Sequence, residues 1–64
     1  MTPEQIRDIR HKLKLTQLAF AERAGVTPIT VSRWECGVNT PRSHAHLWAL
    51  ERLQHAAAQV KDEG

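Results

Sequence analysis

From Thr27 to Cys36 the chain reads TPITVSRWEC. On a helix, at about 100° per residue, Val31 and Trp34 point one way while Ile29, Ser32, Arg33 and Cys36 point the other. The outward face therefore carries a branched apolar group, a hydroxyl, a guanidinium and a thiol. A guanidinium forks onto paired acceptors such as O6 and N7 of guanine, and a hydroxyl serves either donor or acceptor bases. An apolar branched side chain packs on the methyl group that thymine presents in the major groove. The blander alternative buries Ile29 under a neighbouring loop and ties Arg33 into a surface ion pair. It leaves an apolar residue at a helix start without an obvious purpose.

Other chemistries find little support. Cys36 is the only cysteine, so no intrachain disulfide framework can form, which fits a reducing compartment. Cys36, His44 and His46 suggest a metal at first sight, but two histidines two apart on a helix diverge by about 200°. His44 and His46 are expected on the surface, and His11 and His55 have no partner visible in the sequence. No Gly-rich phosphate loop, paired-carboxylate constellation or Ser, His and Asp set accompanies them, so neither an enzyme nor a cofactor is expected. No apolar run approaches the roughly 20 residues of a membrane span, and the start MTPE is unlike a secretory signal.

Nine Lys and Arg against seven Asp and Glu give a net charge of only +2. Its distribution is uneven: up to Trp34, Arg7, Arg10, Lys12, Lys14, Arg23 and Arg33 face only Glu4, Asp8 and Glu22. The basic half is the half that carries the outward face just described, as a surface meeting phosphates requires.

The elements that position this face are helices. In QLAFAERAG, Phe20, Ala21 and Ala24 share one side, and Gly25 can take the left-handed conformation of a sharp turn. Val26 fills the corner, and a small residue at Ala21 lets two helices approach closely. Thr16 and Thr27 can accept hydrogen bonds from the first free N–H groups of the two helices, with Pro28 at a first helical position where its missing donor costs nothing. An earlier helix is expected from Thr2 or Pro3 to about Lys12 or Leu13, capped by Thr2 with Gln5 as reciprocal partner and burying Ile6, Ile9 and Leu13. Gly37 ends the third helix, and Val38 to Pro41 form a loop. A fourth helix is expected from about Arg42 or Ser43 to about Val60 or Lys61. Its apolar residues Ala45, Leu47, Trp48, Ala49, Leu50, Leu53, Ala56, Ala57 and Val60 form a stripe wider than one neighbour covers. That surplus predicts a homodimer, or a protein partner, seated on Trp48, Leu50, Leu53 and Ala57. The 64 residues are read as one compact all-α domain of four helices, or five, spanning 1–64, with the central motif at about 16–37.

The pattern resembles the helix-turn-helix of the Cro/CI-type (XRE-like) transcriptional regulators. The resemblance rests on Leu15, Thr16, Gln17, Phe20, Ala21, Gly25, Val26, Val31, Ser32, Arg33, Trp34, Glu35, Gly37 and Pro41, which stand in the family's order and spacing. It departs at Pro28 and Ile29, where the family often has Gln or Ser, and at Cys36, where a polar or basic residue is common. The resemblance implies a lambda-repressor-like fold, with the helix from Pro28 in the major groove and the preceding helix across the backbone. The expected base contacts are then Pro28, Ile29, Ser32 and Arg33. Expected backbone contacts are Gln17, as in the family, with Thr16, Thr27, Thr30, Asn39, Thr40 and Arg42 at helix starts and in the following loop. Arg10 and Glu35 correspond to a structural ion pair. The implied function is a cytoplasmic, bacterial or phage regulator that binds duplex DNA as a homodimer and represses or autoregulates. The rival reading is an antitoxin-like module that sequesters a protein along the fourth helix.

Overall fold

The computed structural model describes residues 1–60, which form four helices: α1 (Pro3–Lys12), α2 (Gln17–Ala24), α3 (Pro28–Cys36) and α4 (His44–Ala58). No strand and no fifth helix occur among the described residues. The fold is all-α and lambda-repressor-like.

Local chemistry sets the first three helices. Thr2 closes a capping box on α1: its hydroxyl accepts from Gln5 N–H at 3.1 Å, and Gln5 Oε1 accepts from Thr2 N–H at 2.8 Å. Thr16 Oγ1 accepts from Ala19 N–H at 3.1 Å, and Thr27 Oγ1 accepts from Thr30 N–H at 3.3 Å. Each satisfies a donor that the helix itself leaves orphaned. All three helices end alike, through a residue in the left-handed region followed by a backward hydrogen bond. Gly25 (φ 74°) precedes Val26 N–H to Ala21 O at 3.0 Å, and Gly37 (φ 79°) precedes Val38 N–H to Arg33 O at 3.0 Å. After α1 the position falls to Lys14 (φ 57°), which precedes Leu15 N–H to Arg10 O at 3.1 Å. Nothing in the type of Lys14 announces that conformation.

The core is shared by every helix. The largest fully buried side chains are Ile6 from α1, Phe20 from α2, Val31 from α3 and Leu50 from α4. Each contributes about 1.5–3 kcal/mol of burial, so no helix keeps its place without the other three. Ile9, Ala21, Ala24, Trp34, Leu53 and Ala57 complete the cluster, with Leu13, Leu15 and Val26 packed against it half-buried. Ala21 is fully buried on α2, which packs against α3, and its single methyl group is small enough to allow a close approach.

The fourth helix differs from its expected form. It begins at His44, with Ser43 as a cap that makes no side-chain bond, so Arg42 lies in the loop before it. Ala58 is its last residue and Gln59 caps it, leaving Val60 outside the helix; the expected end at Lys61 lies outside the described residues. The expected partner-binding set is also corrected. Leu50, Leu53 and Ala57 are buried in the chain's own core against α1 and α2, and of that set only Trp48 faces solvent, at 59% exposure.

Candidate nucleic-acid interface

Three residues separate α2 from α3, with Gly25 making the reversal and Thr27 starting the second helix. With Val31 and Trp34 buried beneath it, α3 turns the rest of its circumference outward. Pro28, Ile29, Arg33 and Cys36 are exposed, Ile29 at 63%, while Ser32 is half-buried. Arg33 makes no ion pair and no side-chain hydrogen bond among the described residues, and Ile29 lies under no loop. Two residues suited to reading base edges thus stand on one helix face with no partner among the described residues.

What holds that face in place is Glu35, the one buried charged residue among those described. Arg10 grips its carboxylate with both prongs, Nε donating to Oε2 at 2.7 Å and Nη2 to Oε1 at 3.0 Å. A third N–H of the same guanidinium, on Nη1, donates to Leu15 O at 3.1 Å, so one side chain ties the end of α3 to the turn between α1 and α2. Gln17 adds an Nε2–H bond to Oε1 at 3.4 Å from the first turn of α2. Burial pushes the Glu35 carboxyl's pKa up, but the hydrogen bond and charge of Arg10, helped by Gln17 and Arg7, outweigh it and hold the group below its ordinary value. The carboxylate stays ionised and the brace stays intact at neutral pH.

Arg7 belongs to this brace and was not among the residues singled out from sequence. Its Nη2 donates to the backbone carbonyl of Glu35 at 2.9 Å, and its Nε lies 3.8 Å from Oε1. Arg7 and Arg10 are three apart and so share a face of α1. That spacing was the available signal, but nothing local points to a carbonyl 28 residues away. His46, expected on the surface, is half-buried edge-on against Trp34, the ring centroids 5.5 Å apart.

The remaining polar residues sit at helix starts and in the loop after α3. Thr16 and Thr27 serve as caps, yet a hydroxyl that accepts one bond still carries its own O–H to donate. Thr30 lies within hydrogen-bond reach of Thr27, Oγ1 to Oγ1 3.0 Å. Asn39, Thr40 and Arg42 are exposed and make no side-chain hydrogen bond among the described residues. Gln17 is half-buried, and its amide has a second N–H beyond the one aimed at Glu35.

A family model described as helix-turn-helix matches residues 6–44, from the first core residue of α1 to the first residue of α4. The chain belongs to the Cro/CI-type (XRE) helix-turn-helix family. No curated protein and no solved structure matches it. Membership in the helix-turn-helix family makes the chain a DNA-binding, transcription-regulatory domain rather than an enzyme. Among the described residues no group of three metal-ligating side chains occurs, and no helix is long and apolar enough to cross a membrane.

Proposed function

We propose that this helix-turn-helix domain reads a specific duplex sequence through α3, acts as a homodimer, and represses or autoregulates by occupying a promoter in a bacterial or phage setting. The observation that carries the reading is the contrast within α3. Its inner residue Glu35 is braced by Arg7, Arg10 and Gln17, while Ile29 and Arg33 are exposed and have no partner among the described residues. A rigid helix with free base-reading groups is pre-organised for the major groove, because little ordering remains to oppose binding. Arg33 addresses a guanine, Ile29 a thymine methyl, and Pro28 and Ser32 pack or bond beside them. Thr16, Gln17, Thr27, Thr30, Asn39, Thr40 and Arg42 fix the register on the phosphates. The antitoxin-like reading loses part of its support, since Leu50, Leu53 and Ala57, three of the four residues on which a partner was expected to sit, lie in the core; a homodimer seated on the same residues loses it equally.

Selection of bound sequences from a random duplex pool tests this. The parent should return a defined half-site. Arg33→Ala should relax preference at one guanine per half-site at a cost of about 1–3 kcal/mol, and Ile29→Ala should cost less and act at a neighbouring thymine. Identical preferences from all three proteins would remove α3 as the reader.

A further inference from the structure

At Lys14 local folding and side-chain type disagree. The ends of α2 and α3 reach their left-handed closures with glycine, for which a positive φ costs least, whereas the turn after α1 reaches the same closure with a lysine at φ 57°. Nothing in the turn uses its side chain. Lys14 is exposed and makes no ion pair and no side-chain hydrogen bond among the described residues, in contrast to Lys12, whose Nζ lies 3.5 Å from Asp8 Oδ2. Backbone bonds and Arg10 hold the turn instead: Lys14 N–H donates to His11 O at 3.0 Å, Leu15 N–H to Arg10 O at 3.1 Å, and Arg10 Nη1 to Leu15 O at 3.1 Å. A side chain kept in a sparsely populated conformation, and not used by its own fold, points to a use outside the chain.

Its surroundings name the ligand. From Ile9 to Ala21 the chain carries Arg10, His11, Lys12 and Lys14 and no acid. Arg10 is committed to Glu35, His11 lies against Arg10 and Lys12 lies beside Asp8, which leaves the Lys14 ammonium without a partner among the described residues. Lys14 stands two residues before Thr16, the cap of α2, and three before Gln17, both expected to meet phosphates. The guanidinium that holds Leu15 O also grips Glu35, so the turn bearing Lys14 is fixed to α3. We propose that the Lys14 ammonium grips a backbone phosphate of the duplex beside the one addressed by the start of α2, and that it fixes the register of α3 without reading a base. An ammonium is a compact point charge with no planar fork, so it suits a phosphate and ignores base identity. The contact rests on the duplex-binding reading proposed above and adds a cation at the α1–α2 turn, where that reading places none. It also gives the left-handed lysine a physical reason: glycine would close α1 more stably but leave this corner of the surface uncharged.

Duplex titrations at several salt concentrations, beside thermal melts of the same proteins, test the contact. Lys14→Gly should melt about 2–8 °C above the parent, since the left-handed strain is relieved. It should nevertheless bind selected and random duplexes alike about three- to tenfold more weakly near 100 mM salt, with the slope of log K against log salt concentration lower by about 0.9 for each bound copy. Lys14→Arg keeps the charge and should stay within about twofold of the parent in affinity, with its slope unchanged. A purely structural role predicts the reverse, because a more stable turn would leave binding unchanged or improve it. Lys14→Gly with parental affinity and slope overturns the proposal, as does a weaker complex whose slope has not moved, or a slope that Lys14→Arg lowers as much as Lys14→Gly does. If the parent binds duplex and Lys14→Gly binds equally well, Lys14 alone is removed from the interface. A parent that binds no duplex overturns the duplex-binding reading and this contact with it.

Discussion

At the scale of single residues, the side chain on which most depends is Glu35, buried behind the exposed face of α3. Its carboxylate sits between two arginines and an amide, and removing Arg10 leaves a buried charge with only Arg7 and Gln17 to answer it. Arg10→Ala should cost about 2–4 kcal/mol in urea unfolding at pH 7, and DNA binding should weaken along with the helix angle. The folded pKa of Glu35 lies below its ordinary 4.5, so its stabilisation is complete above the unfolded value and is lost as pH falls through the folded one. The parent should therefore lose stability on acidification below about pH 4.5, while Glu35→Gln, weaker at neutrality, should show a shallower decline over the same range. An identical pH profile in both proteins would mean that the brace is not an ionic one. Lys14 offers the opposite sign. It holds φ 57°, where a Cβ is crowded, so Lys14→Gly should stabilise by about 0.5–1 kcal/mol, whereas glycine in a helix interior destabilises. A melting temperature that falls on this change would count against the left-handed closure of α1.

At the scale of elements, α2 and α3 are a packed pair, with the small Ala21 fully buried on α2. Ala21→Leu should overpack the crossing and cost about 1–3 kcal/mol, and Trp34→Ala should leave a cavity costing about 3–5 kcal/mol, both measured by thermal or urea melts. Unchanged melts in both variants would refute the packing described. These two helices and α1 were legible in the sequence because their signals are local: Thr2, Thr16 and Thr27 bond to N–H groups three residues on, and Gly25 and Gly37 take φ values that glycine favours. The outward placement of Ile29 and Arg33 followed from helical periodicity for the same reason. The inner face of α4 was not legible in this way. Apolar residues surround more than half of that helix, and which of them enter the core is decided by where α1 and α2 lie, which no window of α4 encodes. Arg7 on the carbonyl of Glu35 and His46 against Trp34 are long-range contacts of the same kind, and Lys14 bears no residue-type signal at all.

At the scale of the whole molecule, the described residues measure 32 × 20 × 20 Å and present a single α3, whereas half-sites on one face of a duplex recur about 34 Å apart. On the proposed function one copy takes one half-site, and the number of copies on the DNA becomes a countable property of the salt dependence. Each phosphate neutralised by a cation contributes about 0.9 to the fall of log K with log salt concentration on duplex DNA. Arg42, exposed in the loop after α3, is the cation expected to make one such contact per copy. If two copies bind, Arg42→Ala should lower the slope by about 1.8 and weaken specific and random duplexes alike; if one copy binds, the change should be about 0.9. Arg33→Ala should leave the slope nearly unchanged, because a guanidinium on a guanine edge releases few phosphate counterions. Fluorescence anisotropy of a labelled duplex between about 50 and 200 mM salt measures all three proteins. A slope that Arg42→Ala does not move places Arg42 off the backbone, and a slope altered as much by Arg33→Ala places Arg33 on a phosphate rather than on a base.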